Sequence, residues 1–249
     1  MCINAGHIYI GTSGYQYDHW RGTFYPEKMP KRAWFAHYTA HFETVEINNT
    51  FYNLPSEKTF RAWADAAPSG FHFTLKFSRF ATHMKKLKDP DNSIPKFLER
   101  AELLGGHLGP ILVQLPPNWG VNPERLDTFF AYAPAKHRWA VELRDADWFR
   151  DEVYDVLRKH GVALVVHDMI ANHPRVHTAD WTYERFHGGD YTQPYTHQAL
   201  TAAAQRFMEY RDAGHDVYVY FNNDAEGYAV ANAHDLRRYV RQIEDANTD

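Results

Sequence analysis

The sequence predicts an α/β fold, an irregular TIM-like (β/α)8 barrel with one short or missing outer helix. The chain has 249 residues, close to the roughly 250 that such a barrel needs. Eight short apolar runs, rich in β-branched and aromatic residues, recur along it. Their starts lie roughly 30 residues apart, which is the repeat of a strand and its crossover helix. Helix-like patterns separate most of the runs, so we expect a parallel sheet.

Each predicted strand is followed by glycine, proline or polar residues. The first runs into Gly11, Thr12, Ser13 and Gly14, which lack the GxGxxG spacing of an open dinucleotide-binding sheet. A closed barrel is therefore favoured. The eight predicted strands are residues 8–11, 44–48, 71–76, 111–115, 140–144, 163–168, 183–187 and 217–222.

The predicted helices carry end signals of the expected kinds. Ser56 is placed to cap a helix, and Gly161 and Gly214 stand where C-terminal glycines are common. The stretch 169–180 contains Pro174 and is too short for a well-formed helix, so we expect one outer helix to be missing there. No linker interrupts the chain, and one domain over residues 1–249 is predicted. The predicted helices are residues 31–42, 56–66, 94–104, 123–132, 151–160, 198–213 and 229–243.

Composition excludes several classes of protein. Hydrophobic residues make up 44% of the chain, which is enough for a sizeable core and argues against disorder. A net charge of −4 excludes a generally basic nucleic-acid coat but not a local basic patch. The single cysteine, Cys2, suits a reducing compartment. Residues 1–7 do not resemble a secretory signal, and no apolar run reaches the ~20 residues of a membrane span. We therefore expect a cytoplasmic protein without a membrane partner.

Alternation along the strands predicts which side chains enter the barrel. In 140–144, Val141 and Leu143 pack outward, so Glu142 and Arg144 point inward. The sixth strand is ambiguous because adjacent residues face opposite ways, and we favour Asp168 there. Charged groups are costly inside a barrel unless they are paired or bind a ligand. An internally neutralised ion network is the alternative to a ligand site. The residues predicted to point inward are Ser13, Glu46, Asn48, Lys76, Gln114, Glu142, Arg144, Asp168, Arg185, His187 and Asn222.

Aromatic and basic residues lie in the predicted loops around this ring. Tyr15 and Trp20 follow the first strand, where an aromatic face could stack on a base or sugar, although many such rings only cap the core. The loop after the third strand is basic and, next to Lys76, could hold phosphate; a solvated loop face is an equal alternative. Its charged residues are Arg79, His83, Lys85, Lys86 and Lys88.

These patterns predict an enzyme that acts on a small anionic ligand, phosphorylated or derived from nucleic acid, at the C-terminal mouth of the barrel. Glu142 is the expected general base or acid, His187 a proton shuttle and Glu46 a third catalytic group. A divalent metal is an alternative, because carboxylates with one imidazole suit such ions. The inward cations argue against it. The predicted binding residues are Ser13, Tyr15, Trp20, Asn48, Lys76, His83, Gln114, Arg144, Asp168, Arg185, Asn222 and Asn223.

Seven motifs in order resemble the YecE-like family, domain of unknown function 72. They are IGTSGYQYDHWRGTFYP, FETVEINNTFYNLP, FTLKFSRFATHMKKLKD, LGPILVQLPP, AVELRDADW, FHGG and YVYFNND, and they extend over about residues 8–243. The resemblance implies an irregular TIM-like barrel, similar to the endonuclease IV and sugar isomerase group. It suggests phosphoester or sugar chemistry by analogy alone. A non-catalytic nucleic-acid-binding module and a metal-dependent sugar isomerase or lyase therefore stay open beside the predicted enzyme.

Overall fold

A computed structural model describes residues 5–247, apart from the side chain of Asp190. Cys2, on which the prediction of a reducing compartment rests, lies outside the described residues. Within residues 5–247 no helix combines the length and the apolar character needed to cross a bilayer.

All eight predicted runs are strands, and each bound differs from its prediction by three residues or fewer. Where neighbouring strands have a described register, they pair in parallel, and the order in the sheet is β1-β8-β7-β6-β5-β4-β3-β2. The predicted class, an α/β fold of the irregular TIM-like (β/α)8 kind, is confirmed. The strands are β1 (Ile8–Thr12), β2 (Thr44–Ile47), β3 (His72–Lys76), β4 (Leu108–Gln114), β5 (Trp139–Glu142), β6 (Ala163–His167), β7 (Trp181–Phe186) and β8 (Asp216–Phe221).

Helices follow most strands, as predicted, and the described residues between β6 and β7 contain none. The missing outer helix is thus confirmed. Short 3-10 or π turns supplement the α-helices, among them a π turn at Phe80–Met84 in the loop after β3. The α-helices are α1 (Trp34–Thr39), α2 (Asn49–Tyr52), α3 (Glu57–Ala66), α4 (Pro90–Ala101), α5 (Pro123–Ala131), α6 (Asp151–His160), α7 (Gly188–Tyr191), α8 (His197–Asp212) and α9 (Tyr228–Ala246).

Local chemistry explains the helix ends. The Ser56 hydroxyl accepts a hydrogen bond from the backbone N–H of Thr59 at 3.3 Å, which confirms the predicted cap of α3. Gly161 ends α6 with a φ of 63°, in the left-handed region where glycine has no Cβ penalty. The predicted helix 94–104 instead begins at Pro90, because proline is tolerated in a first turn where its missing N–H costs nothing.

Contacts between Cα atoms group the described residues into two compact units. The first unit comprises residues 5–45, 167–169 and 180–247, and the second comprises residues 46–166 and 170–179. The single domain predicted over residues 1–249 stays a prediction.

The core of the first unit lies under β1, β7 and β8. Rings of adjacent strands pack together there: those of Phe186 and Phe221 stack with centroids 4.8 Å apart, and those of Tyr183 and Tyr220 are tilted with centroids 5.2 Å apart. Burial of these large apolar groups drives the packing of the helices onto the sheet.

The core of the second unit lies between its strands and the helices packed on them, among them α4 and α5. Phe77 is fully buried, and its ring packs edge-on against Phe97 of α4 and Phe129 of α5. The register of β4 and β5 places Gln114 opposite Glu142 at the carboxyl ends of both strands. This pairing positions the polar groups described next.

Candidate functional site

An ion pair lies at the end of β5 in the second unit. Glu142 is fully buried, and the Nε–H of Arg144 donates to its carboxylate. The same guanidinium reaches the side-chain oxygen of Gln114 at 3.4 Å. Since burying a carboxylate without a partner is very costly, this pairing allows Glu142 to remain charged at the strand end.

Lys76 ends β3 with its ammonium over an aromatic face. Its Nζ lies 4.2 Å from the ring centroid of Phe51, and the side chain is almost completely buried. The hydroxyl of Thr50 donates to the Lys76 carbonyl at 2.8 Å, which fastens α2 to the end of the strand. A cation held against a ring in a poorly solvated place acts more strongly on its surroundings than an exposed lysine.

The pKa of His83 responds to the charges of these groups. Burial and the nearby cations Lys76, Arg79 and Arg144 lower the pKa of His83 to about 4, and Glu142 only partly opposes them. The imidazole is therefore neutral at pH 7. We call Lys76, Arg79, His83, Glu142 and Arg144 the cationic cluster; its charged members at pH 7 are three cations and one carboxylate.

In the first unit, the carboxylate of Asp168 organises the chain after β7. It accepts hydrogen bonds from the backbone N–H groups of His187 at 2.9 Å and Gly188 at 3.1 Å, and from the hydroxyl of Tyr195. Burial and this contact with Asp168 raise the pKa of Tyr195 far above its ordinary value, so its hydroxyl stays a donor. Asp168 therefore positions the FHGG turn through backbone contacts.

His187 and Asn222 meet at the ends of β7 and β8. The amide nitrogen of Asn222 lies 3.2 Å from Nδ1 of the fully buried His187. An amide NH₂ only donates, so in this arrangement Nδ1 accepts and a neutral His187 carries its proton on Nε2.

Arg185 and Glu184 show the alternation of β7. The buried Arg185 directs its guanidinium to the Ser13 hydroxyl at 3.4 Å. Glu184 faces the other way and accepts two hydrogen bonds, at 2.8 and 3.0 Å, from Arg206 of α8. The opposite facing of these neighbours agrees with the parity used to assign inward residues.

A family model described as "Protein of unknown function DUF72" matches residues 9–248. The chain belongs to the DUF72 family. A crystal structure of a DUF72 family protein from Thermotoga maritima is 30% identical, with a TM-score of 0.86, and covers 94% of this chain and 99% of that one. A DUF72 family protein from Enterococcus faecalis, at 19% identity and a TM-score of 0.80 over 94% and 95% of the two chains, shares the fold.

Curated relatives carry UPF0759 names. The UPF0759 protein YunF of Bacillus subtilis is 24% identical over 90% of this chain and 92% of its own. The UPF0759 protein YecE of Escherichia coli O157:H7 is 28% identical over 57% of this chain and 53% of its own. The match thus spans about half the length of the Escherichia coli relative.

The structure of this DUF72 chain corrects several assignments. Strand alternation predicts that the Asn48 side chain points into the barrel. However, β2 ends at Ile47 and Asn48 has helical φ/ψ angles, so the alternation does not extend to it. Trp20, predicted at the mouth as a stacking face, is fully buried and donates its indole N–H to Asp224 at 2.7 Å. Tyr15 is also buried in the core. Asn223 is buried as well, with its amide bonded to the side chain of Asn232 at 2.9 Å.

Asp224 is a polar residue of the DUF72 chain that sequence reasoning did not single out. Burial raises its pKa to about 6, although the Trp20 and His19 contacts oppose the shift. His19 Nε2 lies 3.0 Å from its carboxylate. The sequence signal that could have identified Asp224 is the YVYFNND motif, of which it is the last residue. The alternation of β8 could not assign it because it lies three residues beyond the strand.

The described residues contain no group of three or more His, Cys, Asp or Glu side chains that could hold a metal ion. Glu142, one of the carboxylates considered for a metal from the sequence, is bonded to Arg144 instead. A guanidinium and a divalent cation compete for the same oxygens.

Proposed function

We propose that this DUF72 protein is an enzyme acting on a small phosphorylated or nucleic-acid-derived ligand, whose anionic group binds the cationic cluster. One observation carries the proposal: Lys76, Arg79 and Arg144 lie near enough to His83 to add to the effect of burial, and together these lower its pKa to about 4. Burial is the largest cause, but the positive charge of the three cations also contributes, and that charge favours a phosphate group. Arginine binds phosphate with parallel hydrogen bonds, and lysine contributes a compact charge.

The cluster supplies the groups that a reaction at that phosphate needs. Lys76 and Arg144 stabilise negative charge that develops on the phosphate oxygens. Glu142 is the general base or acid. The roles predicted from sequence for Glu46, His187 and Arg185 stay predictions.

The first experiment measures the pKa of His83 by NMR, with and without inorganic phosphate. Replacement of His83 by Gln assigns its signal among the 16 histidines. We expect the pKa to rise from about 4 toward 6.5 when phosphate binds, because an anion offsets the three cations. An unchanged pKa at tens of millimolar phosphate contradicts the proposal.

The second experiment separates Lys76 from the exposed loop lysines. Lys76→Met should weaken phosphate affinity at least tenfold, because the buried ammonium acts through a low local dielectric. Lys88→Met is the matched control, since Lys88 is exposed in the same loop and salt screens its charge. Equal losses in the two variants would show that the loop, and not the buried lysine, binds the anion.

Turnover is then tested with a panel of phosphomonoesters and nucleotides. We expect Glu142→Gln to lower kcat, and Lys76→Met both to raise KM and to lower kcat, because Lys76 binds the phosphate and stabilises its developing charge. Binding without turnover of any panel member supports the second candidate instead.

That second candidate, a nucleic-acid-binding module, is favoured by one observation. Tyr52 and Phe80 are exposed large apolar residues. Lys85 and Lys88 are exposed in the same loop as Phe80, and the Lys85 ammonium lies 5.4 Å from the Phe80 ring centroid. Exposed rings with neighbouring cations suit the stacking of single-stranded bases. Affinity for an oligonucleotide should then fall steeply with salt, and replacing Phe80 with alanine should weaken it.

A further inference from the structure

A cleft of about 260 Å³ opens in the first unit at the amino end of β1. The residues before β1, the end of α8 and one face of α9 form its walls. Barrel enzymes place their chemistry at the opposite, carboxyl ends of the strands, so this cleft is separate from the strand-end residues of the first unit. The charged residues that line it are His7, Glu43, Arg211, Arg237, Arg241 and Glu244.

Both carboxylates of the cleft are already engaged. Glu43 bonds His7 at 2.9 Å, and Glu244 accepts from the guanidinium of Arg211. Arg211 also contacts its neighbour Asp212 at 2.7 Å. These contacts leave the cleft with a positive wall on α9.

Arg237 and Arg241 form that wall. Among residues 5–247, neither guanidinium takes part in a hydrogen bond or an ion pair. Glu43 acts on both arginines only at longer range. The guanidinium of Arg237 lies instead over the Phe42 ring, 5.6 Å from its centroid.

The arrangement is energetically unfavourable without a counter-ion. Arg237 and Arg241 are four residues apart, so they are neighbours on one helix face, where like charges destabilise. Burial and the charge of Arg241 lower the pKa of Arg237, against the attraction of Glu43. A partly buried guanidinium that repels its neighbour is most readily stabilised by an anion that both can bind.

We propose that the cleft binds a phosphate group, as inorganic phosphate or as a small phosphomonoester, between Arg237 and Arg241. Two guanidinium forks match the oxygens of a phosphate. The volume lies just below the range of roughly 300–1,000 Å³ typical of ligand pockets, so it fits a small monoester and not an extended polymer. Neither the strand-end residues nor the cationic cluster takes part in this site.

The test follows thermal unfolding of the full chain in a phosphate-free chloride buffer and after addition of inorganic phosphate. We expect phosphate to raise the Tm of the unmodified protein. Arg241→Gln should be at least as stable without phosphate, because the repulsion is removed, and should lose most of the increase. Arg158→Gln is the matched control: Arg158 is an exposed helix arginine like Arg241, but it does not line the cleft and is paired with Asp155 at 2.8 Å. This control should keep the full increase.

Lys76→Met separates this site from the cationic cluster. We expect Lys76→Met to retain a phosphate-dependent increase in Tm that Arg241→Gln lacks, and calorimetry to give at least tenfold weaker binding at the cleft in Arg241→Gln. The opposite result would overturn the cleft site: the phosphate-dependent increase in Tm would disappear in Lys76→Met and survive in Arg241→Gln. That result would leave the proposed function standing. No stabilisation in any variant would also overturn it. Glucose 6-phosphate in place of inorganic phosphate then distinguishes the two sources of the group: tighter binding of the sugar phosphate assigns a monoester, and weaker binding assigns the free ion.

Discussion

The ion pair of Glu142 and Arg144 gives the sharpest test of the structure. Glu142 is fully buried and the Arg144 side chain is 12% exposed, so removing either charge leaves the other in a poorly solvated place. Breaking such a pair costs about 3–5 kcal/mol. For a chain of this length each kcal/mol changes the Tm by about 2–4 °C. Glu142→Gln, which keeps the size of the side chain, should therefore lower the Tm by about 6–20 °C.

The double variant decides whether the two residues act as a unit. Glu142→Gln with Arg144→Met removes both charges and leaves no uncompensated ion, so it should cost less than the sum of the single changes. Urea unfolding followed by tryptophan fluorescence measures the free energy of each variant. The coupling between the two residues should exceed about 1 kcal/mol.

An exposed ion pair supplies the control. Lys159 contacts Asp127 at 2.7 Å, and its side chain is 61% exposed, so Lys159→Met should cost less than about 1 kcal/mol. If Glu142→Gln costs no more than this control, or if the double variant is strictly additive, the assignment of Glu142 and Arg144 as one buried unit is wrong.

Three further predictions concern the first unit. Asp224→Asn should raise the free energy of unfolding above pH 6, because a pKa near 6 means that folding disfavours the ionised carboxylate. Urea unfolding should show this stabilisation shrinking as the pH falls from 6. It should vanish below pH 3.8, where the carboxyl group is protonated in both the folded and the unfolded state. Gly188→Ala should lower the free energy of unfolding by more than about 1 kcal/mol in the same assay, since Gly188 has a φ of +64° and a Cβ there would lie 2.3 Å from the carbonyl oxygen of Gln193. Tyr195→Phe should cost about 1–3 kcal/mol, because Asp168 loses a donor, and differential scanning calorimetry should show a lower Tm.

The fold was predictable from sequence because its determinants are local and periodic. Short apolar runs rich in β-branched and aromatic residues located every strand, and Gly161 and Ser56 marked helix ends through backbone conformation and capping. The absence of a helix between β6 and β7 followed from one proline and a short connection. These signals lie within a few residues of the elements that they specify.

The candidate site was predictable only in part. Alternation brought Glu142, Arg144 and Gln114 to one strand end, where they are in contact. It does not extend to Asn48, because β2 ends at Ile47 and Asn48 has helical φ/ψ angles. Alternation also could not predict the hydrogen bond from the Trp20 indole to Asp224. Those residues are 204 positions apart, and periodicity carries no information about distant partners.

Arg237 and Arg241 illustrate a signal of another kind. Their spacing of four on a predicted helix was visible in the sequence, yet strand alternation does not consider helix residues. Two like charges four apart cost little on a solvated face, where water and salt screen them. The same pair costs more on a face that packs against the fold, and Arg237 is partly buried over Phe42. Arg241 is exposed, so the cost falls on the partly buried Arg237, and an anion that binds both guanidinium groups would remove it.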